Sequence, residues 1–232
     1  GPGHVEKLLE EFELDGEGVN GVVTPGAKVQ AHQVQTETAL VEKEHTRFRG
    51  LAARVNFSAA DRPDIIYAAK EVCRFMSKPT DMAQAALERM GRHLEKYPRL
   101  VLTFPRQVAD HLEAYSDTDW AGCVRARKSS SGGCIMVGTH TIKGSFPTQA
   151  GVALSSGEAE YYGVVRATGI GLGHQALFQD AGVTVPLRVW TDSSAAIGTA
   201  SRQGLGKLRH LECHSLWLPQ RLCRKELTLR KV

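Results

Sequence analysis

The sequence predicts an α/β fold: a mixed sheet with flanking helices in the C-terminal half, preceded by a small helical segment. Three observations predict it. Strand-like runs follow one another closely between Leu112 and Phe146, as in an antiparallel meander. A long helical pattern opens after Ser155-Ser156. A buried run, Pro186 to Thr191, then leads into a second helix start at Ser193-Ser194.

Residues 4–15 place Val5, Leu8, Leu9, Phe12 and Leu14 among acids, the pattern of a short amphipathic helix. From 16 to 38 the glycines at 16, 18, 21 and 26 and Pro25 interrupt order, predicting an extended connector with one small hairpin. A helix is expected over 42–60. After Pro63, Ile65, Ala69, Val72 and Met76 recur on one helical face. The turn at Pro79-Thr80-Asp81 starts another helix, with Ala86, Met90 and Leu94 four residues apart. Leu100 to Phe104, between Pro98 and Pro105, reads as a short strand. The domains expected are therefore 1–38, an N-terminal helix and linker; 39–111, a helical region; and 112–232, the α/β domain.

Within that domain strands are expected at Leu112–Ser116, Gly133–Val137 and His140–Phe146, with Gly138-Thr139 as the turn. Ser155 or Ser156 caps the long helix, which runs to about Gln179. Gly163, Gly169, Gly171 and Gly173 each cost roughly 1 kcal/mol against alanine in a helix interior, which implies close packing or a bend. Ser193 or Ser194 starts a short helix, 202–210 is a basic loop, 211–223 is helical, and Leu227–Leu229 is a final strand. The order is βββ-αβα-αβ.

Composition narrows the function classes. The formal charge of +4 favours anionic partners without identifying one. The five cysteines have no compact metal-ligand spacing and read as reduced thiols, so an intracellular protein is expected. No apolar stretch suits a membrane span, and the opening Gly-Pro-Gly reads as a remnant outside the fold.

Asp117 sits where an early strand ends, Glu160 in the first turns of the long helix and Asp192 at the end of a later strand. Strand ends and a helix over the sheet converge in such an arrangement, and three carboxylates brought together repel unless a hard divalent cation joins them. Taken singly, each acid has an ordinary alternative: a solvated turn for Asp117 and Asp119, an exposed helical position for Glu160, a helix cap for Asp192. Glu158 and Glu160 diverge on a helix, so only one belongs to a shared site.

Four segments occur in order: Tyr115-Ser116-Asp117-Thr118-Asp119-Trp120-Ala121-Gly122, Arg127-Lys128-Ser129-Ser130-Ser131-Gly132-Gly133, Val152 to Tyr162 around Ser155-Ser156-Gly157-Glu158-Ala159-Glu160, and Trp190 to Ile197 around Asp192-Ser193-Ser194. Together they closely resemble the C-terminal ribonuclease H region of copia-type retrotransposon polyproteins. Upstream, Val23 to Lys28, Phe48-Arg49-Gly50, Arg62-Pro63-Asp64-Ile65-Ile66-Tyr67-Ala68 and Arg74 to Pro79 resemble the reverse transcriptase connection of the same polyproteins. The polymerase's Tyr-x-Asp-Asp pattern is absent, so DNA synthesis by this chain alone is not expected.

The resemblance implies a ribonuclease-H-like fold with Asp117, Glu160 and Asp192 as catalytic residues and metal ligands, Mg²⁺ or Mn²⁺ as cofactor, and an RNA–DNA hybrid as substrate. Arg125, Arg127 and Lys128 beside the Asp117 turn, and Lys207, Arg209 and His210 after Asp192, form basic patches suited to phosphate contacts, with surface solvation as the ordinary alternative; the second patch falls on the family's basic-histidine motif. The family continues past the last strand into a helix with a fourth carboxylate; here the expectation is a truncated domain without that helix, with Glu212 as one nearby acid. Two function classes follow: metal-dependent hydrolysis of the RNA strand of hybrids, or a transposon-derived, non-catalytic structural or protein-interaction subunit of a larger assembly. Hybrid binding without cleavage is a third. His210 and His214 share a helical face without a third ligand. Trp120, Phe146, Trp190 and Trp217 are expected to be packing residues.

Overall fold

A computed structural model describes residues 2–14, 20–108, 110–202 and 215–232. The chain divides into two compact units, Gly1–Leu102 and Thr103–Val232.

The first unit is helical: α1 Pro2–Glu11, α2 Ala31–Gln35, α3 Glu42–Ser58, α4 Ile66–Cys73 and α5 Asp81–Lys96. Leu8 of α1, Phe48, Leu51 and Val55 of α3, Ala69 and Val72 of α4, and Leu87, Met90 and Leu94 of α5 bury together in one core. The 64–94 hairpin thus finds its packing partner in α3. Thr80 caps α5 by accepting from the Ala83 N–H at 3.2 Å, as its place before Asp81 requires. Beside the core, Arg62 donates two bonds to Asp64, and His93 Nε2 lies 3.0 Å from the same carboxylate. Burial pushes the Asp64 carboxyl up, but these hydrogen bonds and the Arg62 charge outweigh it and hold the group below its ordinary range.

Two expectations in this unit are corrected. Among its described residues the connector 16–38 holds α2, a single helical turn and a half at whose start the Gln30 N–H donates to Gln33 Oε1 at 2.8 Å, and no strand of a hairpin; residues 15–19 lie outside the described ones. Leu100–Phe104 is extended but joins no ladder, and Leu100, Val101, Leu102 and Phe104 are exposed. Four apolar residues and Thr103 supply the propensity for a strand, but a strand also needs an edge to pair with.

The second unit holds β1 Leu112–Asp119, β2 Ser130–Val137, β3 His140–Ser145, α6 Ser156–Asp180, β4 Leu187–Thr191, α7 Ser194–Ala200, α8 Trp217–Cys223 and β5 Leu227–Lys231. This is the α/β fold and element order the sequence predicts. The sheet order is β3-β2-β1-β4-β5, with β1–β2 and β2–β3 antiparallel and β1–β4 and β4–β5 parallel. A tight β2–β3 hairpin accounts for the antiparallel edge, turning at Gly138 with φ +55°. Helical crossovers account for the parallel half.

Helix α6 lies against β1, β2 and β4. Its Ser155 cap accepts from the Glu158 N–H at 3.2 Å, and Ser193 caps α7 by accepting from Ala196 N–H at 3.1 Å. Strand β1 alternates in burial: Leu112, Ala114, Ser116 and Thr118 are covered, while Glu113, Tyr115, Asp117 and Asp119 are on the other face. Val164 and Ala167 of α6, Leu187 and Val189 of β4, Ala196 and Ala200 of α7, and Leu218 of α8 complete the core. No described helix is long and apolar enough to cross a membrane.

Candidate metal centre

The pairing of β1 with β4 builds the base of the site. Parallel register sets Ser116 opposite Thr191, so the next residues, Asp117 and Asp192, leave adjacent strands at the same level. Ser116 is buried, so alternation along β1 turns Asp117 to the other, exposed face, and Asp192, the residue after β4, is exposed as well. Glu160, in the second turn of α6, completes the set from above the sheet end. One carboxylate oxygen from each of Asp117, Glu160 and Asp192 lies within 4.8 Å of the others.

Electrostatics distinguish the three acids. Glu160 is half-buried and its Oε2 has no hydrogen-bond partner. Burial, then the charges of Asp192 and Asp117, push its carboxyl up to about 7, with the neighbouring Thr118 N–H and hydroxyl opposing the shift. A half-buried carboxylate clustered with two further acids is a donor set for a hard cation. The residues therefore fit a divalent cation, and such an ion would reverse the Glu160 shift by favouring its charged form.

The other acids of these motifs are placed elsewhere. Asp119 folds over Gly122, its Oδ2 lying 1.7 Å from where a Cβ at that glycine would stand, so a side chain there would displace the exposed Asp119 carboxylate. Glu158 is buried and its Oε2 accepts the Leu154 N–H at 2.7 Å, closing the loop that enters α6. A cleft of about 590 Å³, lined by Gln149, Leu154, Glu158, Tyr162 and Arg166 among others, opens on the Glu158 side of the helix. The i,i+2 relation keeps Glu158 out of the three-acid cluster. Tyr161 is fully buried and its hydroxyl donates to Ser215 O at 2.8 Å, a fold-supporting role; burial raises that hydroxyl to about 12.

Of the expected cations, Arg125 and Arg127 are exposed and Lys128 half-buried, all in the loop that follows β1. Cys123 and Arg127 hold the loop: Cys123 N–H donates to Lys128 O at 3.1 Å and Arg127 N–H to Cys123 O at 2.7 Å. Lys207, Arg209, His210, Glu212 and His214 lie outside the described residues. The tryptophans divide. Trp190 stacks on Tyr115 at 6.1 Å and donates to Glu113, and Trp217 packs against the core, but Trp120 is 49% exposed, correcting its expected packing role. Thr118 is a neighbour of Glu160 that the spacing of acids did not single out; the signal for it is its place between Asp117 and Asp119 on the buried side of β1.

No protein-family profile matches the chain. It is similar to the retrovirus-related Pol polyprotein from transposon RE1 of Arabidopsis thaliana, 35% identical over 147 residues, which is 63% of this chain and 10% of that polyprotein. It is also similar to secreted RxLR effector protein 161 of Plasmopara viticola, 36% identical over 107 residues, 46% of this chain and 75% of the effector. Among solved structures it resembles the LC11 RNase H1 isolated from compost, at 18% identity and TM-score 0.37, covering 53% of this chain and 84% of that one.

Proposed function

Given that the chain belongs with the retrotransposon Pol-polyprotein-like proteins and carries a ribonuclease-H-like C-terminal region, we propose that Asp117, Glu160 and Asp192 form a Mg²⁺ or Mn²⁺ site in a module directed at RNA–DNA hybrids. The observation that carries the metal site is the approach of three carboxylates within 4.8 Å, one with an unpartnered oxygen. Asp117, Glu160 and Asp192 would each offer one carboxylate oxygen to the cation. Arg125, Arg127 and Lys128, in the loop leaving Asp117's strand, contact backbone phosphates, a sequence-independent positioning task. When bound, the cation supplies Lewis-acid stabilisation for phosphodiester hydrolysis.

The module then either cuts the RNA strand or acts as a transposon-derived, non-catalytic subunit of a larger assembly. The second reading has the wider support. Among the described residues the acidic cluster has three members, and the RxLR effector shows related sequence under a name outside the polyproteins.

The test is a Mn²⁺ titration followed by incubation with hybrid, double-stranded DNA and double-stranded RNA, with and without Mg²⁺. Asp117→Asn is expected to weaken Mn²⁺ binding by at least about tenfold. Hybrid-specific, Mg²⁺-dependent cleavage lost in that variant establishes the hydrolase and overturns the subunit reading. Metal binding without cleavage is the outcome the subunit reading predicts, and no Mn²⁺ binding overturns the metal site.

A further inference from the structure

We infer that Trp120 is a pre-positioned nucleic-acid contact, its indole packing against a sugar of the strand that crosses the carboxylate cluster. Trp120 is three residues from Asp117, at the end of the strand that carries it. Its indole N–H donates to Ala153 O at 3.2 Å, two residues before the Ser155 cap of the helix that carries Glu160. The ring thus spans the two elements that deliver Asp117 and Glu160. That bond satisfies its one polar atom and fixes its orientation, leaving 49% of the residue exposed.

The turn behind it is equally fixed. Ala121 takes φ +53°, and its N–H donates to the buried Ser129 hydroxyl at 3.1 Å. Holding an aromatic ring open to solvent in one orientation removes part of the entropy cost of a later contact. Exposed Arg125 and Arg127 share its loop, so the ring and the phosphate-directed cations lie on one short segment. In a hybrid the base faces are stacked on one another, whereas the wide, shallow minor groove displays the sugars. A flat apolar ring beside cations matches that surface.

The inference rests on the nucleic-acid reading of the site and not on cleavage. Its test is hybrid affinity in Ca²⁺ by fluorescence anisotropy, with a parallel Mn²⁺ titration, for the full chain, Trp120→Ala and Trp120→Phe. Trp120→Ala is expected to weaken hybrid binding about tenfold, with Mn²⁺ affinity unchanged. Trp120→Phe, which keeps a ring but loses the bond to Ala153, is expected to stay within about threefold of the parent. Equal hybrid affinity in Trp120→Ala overturns the inference. So does a joint loss of hybrid and Mn²⁺ binding in both variants, which marks a structural staple. A parent chain that binds Mn²⁺ but no hybrid overturns this inference and the nucleic-acid reading, leaving the metal site standing.

Discussion

At the residue scale, Glu160 links fold stability to the chemistry of the cluster. Burial and the two aspartates raise its carboxyl from 4.5 to about 7. Between those values the folded, metal-free chain keeps a proton that the unfolded chain has released. Its contribution to stability is therefore fully present below the unfolded value and falls as pH rises through the window. The thermal midpoint of the metal-free protein should decline from about pH 4.5 to 7, and Glu160→Gln should flatten that slope. Added Mg²⁺ should raise the midpoint more at the top of the window than at the bottom. Scanning calorimetry across the pH series checks both, and an unaltered slope in Glu160→Gln would show that Glu160 does not couple to its neighbours. The identity of the three acids was legible in their motifs. The Glu160 shift was not, because it depends on how close the other two charges come, and spacing along the chain does not fix that distance.

At the element scale, α6 resolves an ambiguity that its four glycines leave open. A Cβ at Gly163 would meet Thr118 Oγ1 at 2.4 Å and Ser116 Oγ at 2.9 Å, and one at Gly171 would meet Leu187 Cδ1 at 2.7 Å. Those two glycines let the helix approach β1 and β4. Gly169 and Gly173 face open space. Opposite signs follow for one chemical change. Gly163→Ala should destabilise by about 1–3 kcal/mol through overpacking, and Gly169→Ala should stabilise by roughly 0.5–1 kcal/mol through helix propensity. Denaturant unfolding of the two variants measures both. The approach matters to the site, since it sets the height of Glu160 above Asp117 and Asp192; Gly163→Ala should also weaken Mn²⁺ binding. Propensity alone misplaced one element, Leu100–Phe104, whose apolar run has no ladder to join.

At the scale of the whole molecule, each unit buries a hydrophobic core of its own. Leu87→Ala removes a fully buried side chain from the helical unit. It should cost about 2–5 kcal/mol there and leave the Mn²⁺ titration of the carboxylate cluster unchanged, which unfolding and metal titration of one sample would read together. Sequence by itself determined the order of strands and helices in the α/β unit, the serine pairs Ser155-Ser156 and Ser193-Ser194 at which two helices start, and the acids to examine, because periodicity and capping are local properties carried by neighbouring residues; the structure chose Ser155, Ser193 and, for α5, Thr80 as the caps. Tertiary structure alone decided that Ser116 pairs with Thr191 and so aligns Asp117 with Asp192, that Glu158 closes a loop while Glu160 faces the acids, and that Trp120 stays in solvent. Each of those depends on strand register or on the approach of distant segments, and the free energy that selects them comes from packing the whole unit.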